Sequence, residues 1–156
     1  MLSPDRSHDL IDVRWAAAPA ELAGAIAVRE KVFCEEQGVS RAEELDGLDD
    51  DSRHVVAIDT DSDRVIGTTR LRVYGADARV GRVAVARDWR RRGVASRMLE
   101  LALGGAREQG CTSARLAAQM QATALYERAG FAVESDEPFD EAGIAHLWMS
   151  RRLSAE

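Results

Sequence analysis

Four arginines crowd the predicted start of one helix. They are Arg90, Arg91, Arg92 and Arg97. Backbone N–H groups in a first helical turn lack partners and the helix dipole is positive there, so cations are unfavourable at this end. A bound phosphate would reverse that sign, and Gly93 would let the backbone approach it closely. The segment therefore predicts an anion site, with a solvated basic helix start as the alternative.

The elements that position this segment alternate between strand and helix patterns. Strands are predicted at 11–15, 54–59, 65–74, 78–85, 114–118, 131–133 and 144–152, and helices at 19–38, from Val94 to before Gly110, and at 123–129. In the first helix, Leu22, Ile26, Arg29 and Phe33 share one face. The three runs between 54 and 85 are typical of an antiparallel meander. The order predicts an α/β fold with a mixed sheet.

Composition excludes several classes of protein. The chain has 156 residues, 21 basic against 27 acidic side chains and a net charge of −6, which disfavours a non-specific nucleic-acid binder. Two cysteines, Cys34 and Cys111, are too few for a disulfide framework and are typical of a reducing cytosol. No apolar run approaches the ~20 residues that cross a bilayer. We therefore expect a cytoplasmic chain with a tail at 1–10, one domain at 11–153 and no membrane partner.

Several segments resemble one known family. Residues 85–95 resemble the acyl-CoA-binding signature R/Q-x-x-G-x-G/A of the GNAT N-acetyltransferase superfamily, with Arg90, Gly93 and Ala95 at its three fixed positions. Residues 122–131 are similar to the family's A-x-x-x-Y-E-x-x-G-F segment. Upstream and downstream, 29–39 with Glu44, Asp46, Asp49 and His54, and 140–146, resemble the ElaA-like branch. The family often has Asn where this chain has Gln119.

The resemblance implies a fold and a donor. The expected fold is a mixed, mostly antiparallel central sheet flanked by helices, and the expected acyl donor is acetyl-CoA, with no metal. Its pyrophosphate would lie on Arg90, Arg91, Arg92, Gly93, Val94, Ala95 and Ser96. Its pantetheine arm would pair with Val83, Ala84 and Val85, where a free backbone N–H would also polarise the thioester carbonyl. Family members often pair, so a homodimer is among the expectations.

Acyl transfer to an amine also needs a proton donor and a base. Of two tyrosines, Tyr126 lies in the family segment and can protonate the departing sulfur, although it could equally be a core residue. Candidate bases are Glu36, Glu44, Asp46, His54 and His146, of which we rank Glu44 first. The acceptor side is assigned to Arg29, Phe33, Glu36, Asp46 and His146. Cys34 lies beside two glutamates that raise a thiol pKa, so direct transfer in a ternary complex is expected.

The acceptor and the exact reaction stay open. Two acidic groups, at 43–51 and 134–141, would attract a cationic small-molecule or peptide amine if they form a negative mouth. They could also be solvated loops. The R-x-x-V-F element occurs in acyl-homoserine-lactone synthases as well, which gives one alternative enzyme. A non-catalytic acyl-CoA-binding module, which would not need Tyr126, gives another class.

Overall fold

The computed structural model of the chain describes residues 10–154, so the predicted tail lies outside the described residues except for Leu10. The strands are β1 (Ile11–Trp15), β2 (Arg53–Asp59), β3 (Arg64–Tyr74), β4 (Asp77–Val85), β5 (Ser113–Gln119), β6 (Ala132–Val133), β7 (Phe139–Glu141) and β8 (Ile144–Arg152). The helices are α1 (Pro19–Arg29), α2 (Arg41–Glu44), α3 (Val94–Glu108) and α4 (Thr123–Arg128). A π-helical segment, Glu30–Glu36, follows α1 directly.

The strands form one sheet in the order β1-β2-β3-β4-β5-β8-β6, and β7 pairs with β8. Strands β1 to β4 are antiparallel neighbours, whereas β4 and β5 run parallel because α3 connects them as a crossover. The remaining pairs are antiparallel. The predicted α/β class with a mixed, mostly antiparallel sheet is confirmed.

Strands β4 and β5 separate soon after they meet. They pair at only three positions, from Asp77 opposite Ser113 to Arg79 opposite Arg115. Beyond Arg79, backbone groups of β4 that face β5 therefore have no ladder partner. The parallel pair thus opens into a cleft at the carboxyl ends of both strands.

Helix α3 covers one face of the sheet beneath this cleft. Val94, Met98, Ala102 and Ala106, each four residues after the last, are all buried and form the apolar stripe of this helix. Leu99 and Leu103 add to the same core against strand residues that include Leu71, Val80 and Leu116. This packing fixes the start of α3 beside the end of β4.

The first helix differs from the prediction of one α-helix to Gly38. Its hydrogen-bond pattern widens to a π-helix at Glu30, and Gly38, with φ of +76°, follows its end. The buried residues are Ala25, Val28, Arg29 and Val32. Of the predicted face, Arg29 is buried, whereas Leu22, Ile26 and Phe33 are only partly buried. No helix within residues 10–154 combines the length and apolar character needed to span a bilayer.

Candidate active site

The cleft between β4 and β5 opens into a cavity of about 830 Å³. Val83, Ala84 and Val85 line its β4 side, and Leu116, Ala117 and Gln119 line its β5 side. Tyr126 and Leu125 of α4, Arg90 and Ala95 at the start of α3, and Phe33 of the π-helical segment also face it. The predicted donor-binding segments therefore meet at one cavity.

The loop before α3 has an unusual backbone. Arg91 and Gly93 both have left-handed φ angles, +63° and +76°. The first hydrogen bond of α3 runs from the amide of Arg97 to the carbonyl of Gly93, and the amides of 91–96 donate no hydrogen bond to any residue that the structure describes. Successive free amides in such a loop form an anion-binding concavity. The structure therefore has the free amides that the predicted anion site requires, while anion binding by this loop stays a prediction.

The arginine side chains of this loop do not converge as predicted. Arg90 donates to the carbonyl of Val85 at 2.9 Å and to Oε1 of Glu36 at 2.7 Å. Arg92 lies over the ring of Trp89 at 4.8 Å. Arg97 turns back to the carbonyl of Ile11, 3.3 Å away. The prediction that the guanidinium groups converge on one anion is thus wrong in this conformation, because contacts with other residues hold three of the four side chains.

Strand β4 carries a β-bulge on the wall of the cavity. Thr68 of β3 lies opposite Ala84 and Arg70 lies opposite Gly81, so two residues of β4 face one residue of β3. One of the two, Arg82, has a φ of +52°. The bulge lies where the sequence predicted a free backbone N–H for the thioester carbonyl.

Tyr126 lies on the opposite wall. It is buried, with 7% of its surface exposed, and its ring packs edge-on against Phe131 with centroids 6.4 Å apart. Burial raises the pKa of Tyr126 to about 12. The phenol is therefore protonated at neutral pH and has a proton to donate. Tyr74, the other tyrosine, is half exposed at the far end of the cavity and accepts a hydrogen bond from Arg72.

Glu44 cannot serve as the predicted base in this geometry. It is buried, and its Oε2 accepts hydrogen bonds from Arg29 at 3.0 Å and from Arg82 at 2.8 Å. Both carboxylate oxygens therefore already accept hydrogen bonds from guanidinium groups, and neither faces an amine with a free lone pair in this geometry. Arg29 is likewise corrected as an acceptor-binding residue, because it is completely buried and bonds Glu44 and Asp49. Both residues are structural members of one ion cluster.

The other members of this cluster are Arg70 of β3 and Asp46 and Asp49 of residues 43–51, here called the acidic loop. Arg70 bonds Asp46 at 2.8 Å and Asp49 at 3.1 Å, and Arg82 reaches Asp46 at 3.2 Å. Burial works to raise the pKa of Asp46, but hydrogen bonds from Arg70 and from the amide of Leu48 outweigh it and lower that pKa. The pKa of Asp49 is lowered in the same way by Arg29 and Arg70 against burial. Neither Asp46 nor Asp49 is therefore available to accept a proton from the amine or to pair with a cationic acceptor.

The other predicted acceptor-side residues separate into two groups. Phe33 and His146 line the cavity, whereas Glu36 bonds Arg90 and is not among the lining residues. His54 is buried, and its Nε2–H donates to the carbonyl of Asp49 at 3.0 Å. The Nδ1 of His146 lies 2.7 Å from the carbonyl of Ile144, which can only accept, so Nδ1 carries the proton. Neutral His146 therefore has its lone pair on Nε2.

Sequence reasoning missed Arg70 and Arg82, which hold the acidic loop against the sheet. A signal was present, because six carboxylates at 43–51 need cationic partners and arginines recur along the next two strands. The predicted pKa rise at Cys34 is confirmed, since burial and then Glu44 and Glu30 raise it. Cys111 is buried and its pKa is also raised, chiefly by burial. Neither thiol has the properties of a nucleophile.

Comparisons with known proteins agree with this geometry. The family model of the acetyltransferase (GNAT) family matches residues 14–131. An N-acetyltransferase of Bacillus subtilis strain 168, YjcF, is 34% identical over 131 residues, covering 84% of this chain and 92% of its own. A crystal structure of an N-acetyltransferase from Lactobacillus plantarum is 31% identical with a TM-score of 0.83, over 92% of this chain and 99% of the other. Escherichia coli ElaA has the same fold, at 22% identity and a TM-score of 0.78, over 90% of this chain and 99% of its own.

The parallel pair β4–β5 separates into a cleft, and a loop of free amides lies at its open end. The chain belongs to the GNAT acetyltransferase family, as expected from its sequence. ElaA shares the fold at 22% identity, and the resemblance of 29–39 and 140–146 to the ElaA-like branch stays a prediction.

Proposed function

We propose that the protein is an N-acetyltransferase that moves an acetyl group from acetyl-CoA to a primary amine by direct attack in a ternary complex. The observation that carries this proposal is the cleft beyond Arg79, which joins the loop of free amides at 91–96 to Tyr126 through one cavity. The diphosphate of coenzyme A has the charge that the loop favours. Its pantetheine arm has the amide groups that the unpaired edge of β4 can bond.

The bond changes can be assigned to groups on the two walls. The amine nitrogen attacks the thioester carbon while backbone N–H groups at the β4 bulge stabilise the developing oxyanion. The carbon–sulfur bond then breaks to give an amide and a thiolate, and the Tyr126 hydroxyl, which bonds no other described residue, donates its proton to the sulfur. Solvent returns a proton to the phenolate after the products leave.

His146 is our proposal for the base. Of the five candidates, Glu36, Glu44 and Asp46 are held by arginines and His54 is buried away from the cavity. Only His146 lines the cavity with a ring nitrogen, Nε2, that bonds no other described residue. Nε2 would take the proton of the attacking amine directly or through one water.

We keep a cationic small-molecule or peptide amine as the proposed acceptor, on a narrower basis than the sequence suggested. The inner carboxylates of the acidic loop are neutralised, which leaves Glu43 and Glu141 as lining carboxylates without an ion pair among the described residues. A panel of amines of equal size tests this. Higher kcat/KM for neutral or anionic members than for cationic ones would contradict it.

The role of Tyr126 can be tested with the cavity's other tyrosine as control. We expect Tyr126→Phe to lower kcat by roughly 10²–10⁴-fold, the usual worth of a positioned general acid, with acetyl-CoA still bound in calorimetry. Tyr74→Phe, at the exposed end of the same cavity, should leave kcat within about twofold.

Free thiol release measures turnover. Mass spectrometry of the products formed with acetyl and longer acyl donors separates acetyl transfer from lactone synthesis. Unchanged turnover in Tyr126→Phe would favour a different acid, whereas binding without any turnover in the wild type would favour a binding module.

The donor site has its own test. Arg91 is exposed, and the structure shows no ion pair for it within residues 10–154, so it is the arginine best able to reach a bound diphosphate. Arg91→Glu should weaken acetyl-CoA binding by at least about 10-fold, since a hydrogen bond to a charged group contributes roughly 1.5–3 kcal/mol. Arg64→Glu makes the same charge change at the exposed start of β3 and should change affinity little. Equal losses in the two variants would mean that only net charge matters.

A further inference from the structure

The β4 bulge is built on a residue that does not favour its conformation. Arg82 has a φ of +52°, in the left-handed region that glycine normally occupies at such a bulge. A side chain with a Cβ is strained in this region, because the Cβ approaches the following carbonyl oxygen. Such a conformation persists only where surrounding contacts determine it.

The guanidinium of Arg82 makes those contacts with the acidic loop. Its Nε donates to Oε2 of Glu44 at 2.8 Å, and its Nη2 donates to the carbonyl of Glu44 at 3.0 Å. Nη2 also reaches Oδ2 of Asp46 at 3.2 Å. The Arg82 side chain therefore links the bulge to the acidic loop, 36–38 residues away in sequence. The link includes one backbone carbonyl and two carboxylates.

Glu44, which binds Arg82, is itself held in place by Arg29. Glu44 is 3% exposed, and Arg29, the last residue of α1, is 0% exposed and bonds the Glu44 carboxylate from the other side. Arg29 also bonds Asp49 at 2.8 Å. The connection therefore runs from α1 through Arg29 and Glu44 to the bulge, in an interior where ion pairs are poorly screened by solvent.

We propose that Arg82 is a positioning residue, anchored by Glu44, that holds the bulge of β4 so that its free backbone N–H groups meet the carbonyl oxygen of the bound thioester. The inference rests on the proposed acetyl transfer. It also predicts that Glu44 contributes to turnover without being the base. Because oxyanion stabilisation depends on donor placement within fractions of an ångström, release of the bulge should slow the chemical step more than it weakens donor binding.

Arg82→Gly removes the guanidinium and its hydrogen bonds to Glu44 and Asp46. It leaves the positive φ allowed, because glycine adopts that conformation without cost. We expect kcat to fall at least ~10-fold, a fraction of the 10²–10³-fold typical for loss of an oxyanion donor, with the dissociation constant for acetyl-CoA changed less than about threefold. Arg64→Gly, at the exposed start of β3, should behave as wild type. Thermal unfolding of each variant confirms that the measured protein is folded.

A spectroscopic measurement reports the carbonyl directly. The probe is an analogue of acetyl-CoA in which CH₂ replaces the thioester sulfur, with ¹³C at the carbonyl, studied at saturation. Binding to the wild type should move the ¹³C resonance downfield as hydrogen bonds polarise the carbonyl, and Arg82→Gly should lose most of that shift. A merely structural role would lower stability and leave the shift of the bound fraction unchanged, which would overturn the proposal.

The partner residue gives an independent check. Glu44→Gln should lower kcat by a similar factor at every pH, and Glu44→Gln combined with Arg82→Gly should be no slower than the worse single variant, since both break one connection. Multiplied losses, or a loss for Glu44→Gln confined to one limb of the pH profile, would contradict the proposal. If the wild type binds no acetyl-CoA or transfers no acetyl group, the proposed function fails. If it does both and Arg82→Gly matches it, only this inference fails.

Discussion

Replacing Arg29 with methionine is the most direct test of the ion cluster. The substitution keeps an unbranched side chain of comparable length but removes the guanidinium that bonds Glu44 at 3.0 Å and Asp49 at 2.8 Å. Loss of one partner from a buried pair costs roughly 3–5 kcal/mol because the remaining charge is uncompensated. Here Glu44 keeps Arg82 and Asp49 keeps Arg70, so we expect the lower end of that range, about 3 kcal/mol.

Urea unfolding followed by circular dichroism at pH 7 measures this loss. For a chain of this size, about 3 kcal/mol corresponds to a fall in Tm of roughly 6–12 °C. The matched control is Arg41→Met, which removes an ion pair to Glu30 of similar length, 2.9 Å, between side chains that are 72% and 38% exposed. That pair should contribute less than about 1 kcal/mol.

The same two variants decide between two roles for Arg29. If it bound the acceptor, as the sequence suggested, Arg29→Met would fold with wild-type stability and raise only the KM of the amine. If it is structural, the free energy of unfolding falls. Equal stability of the Arg29 and Arg41 variants would therefore refute the cluster as a determinant of the fold.

Two further predictions concern stability. Gly105→Ala should destabilise the fold by roughly 1–3 kcal/mol, because a Cβ there would lie 2.4 Å from Cζ2 of Trp15, whereas Gly104→Ala meets no atom within 4 Å and should stabilise α3 by about 0.5–1 kcal/mol. Urea unfolding of the two neighbouring variants checks both, and destabilisation of equal size would contradict the packing. Acid should also destabilise the fold: the lowered pKa values of Asp46 and Asp49 mean that their contribution is complete above their ordinary value of 3.8 and is lost as pH falls below it. Titration of the unfolding free energy from pH 6 to pH 2 should show this, with a shallower fall in Asp46→Asn; identical slopes would exclude Asp46 as a source.

Local patterns predicted the elements with strong periodicity. Helix α3 was predicted from Val94 to before Gly110 and runs to Glu108, because its apolar stripe and the glycine after its end are both local signals. Strand β7 was missed, since three residues in an acidic segment are too few for an alternating pattern. The change to a π-helix at Glu30 also left no mark in the spacing of apolar residues.

The backbone geometry of the candidate site was predicted from the sequence, but the directions of its side chains were not. The free amides before α3 follow from a glycine and a helix start, which are local features. The direction of each arginine depends on partners that are distant in sequence, such as Glu36 for Arg90, 54 positions away. The misassignment of Glu44 has the same cause, because its partners Arg29 and Arg82 lie 15 and 38 positions away and sequence spacing carries no information on such pairs.

The two walls of the cleft are held by interactions of very different strength. The β4 wall is tied to α1 by buried ion pairs through Glu44 and Arg29. The end of the β5 wall is held by amide hydrogen bonds at the surface, from Gln119 to Gln37 at 2.8 Å and from Gln121 to Gln119 at 2.7 Å. Exposed hydrogen bonds open at low free-energy cost, whereas a buried ion pair does not. Adjustment to an incoming donor is therefore expected of the Gln119 and Gln121 side chains, whereas the β4 side, which we propose polarises the carbonyl, keeps its geometry.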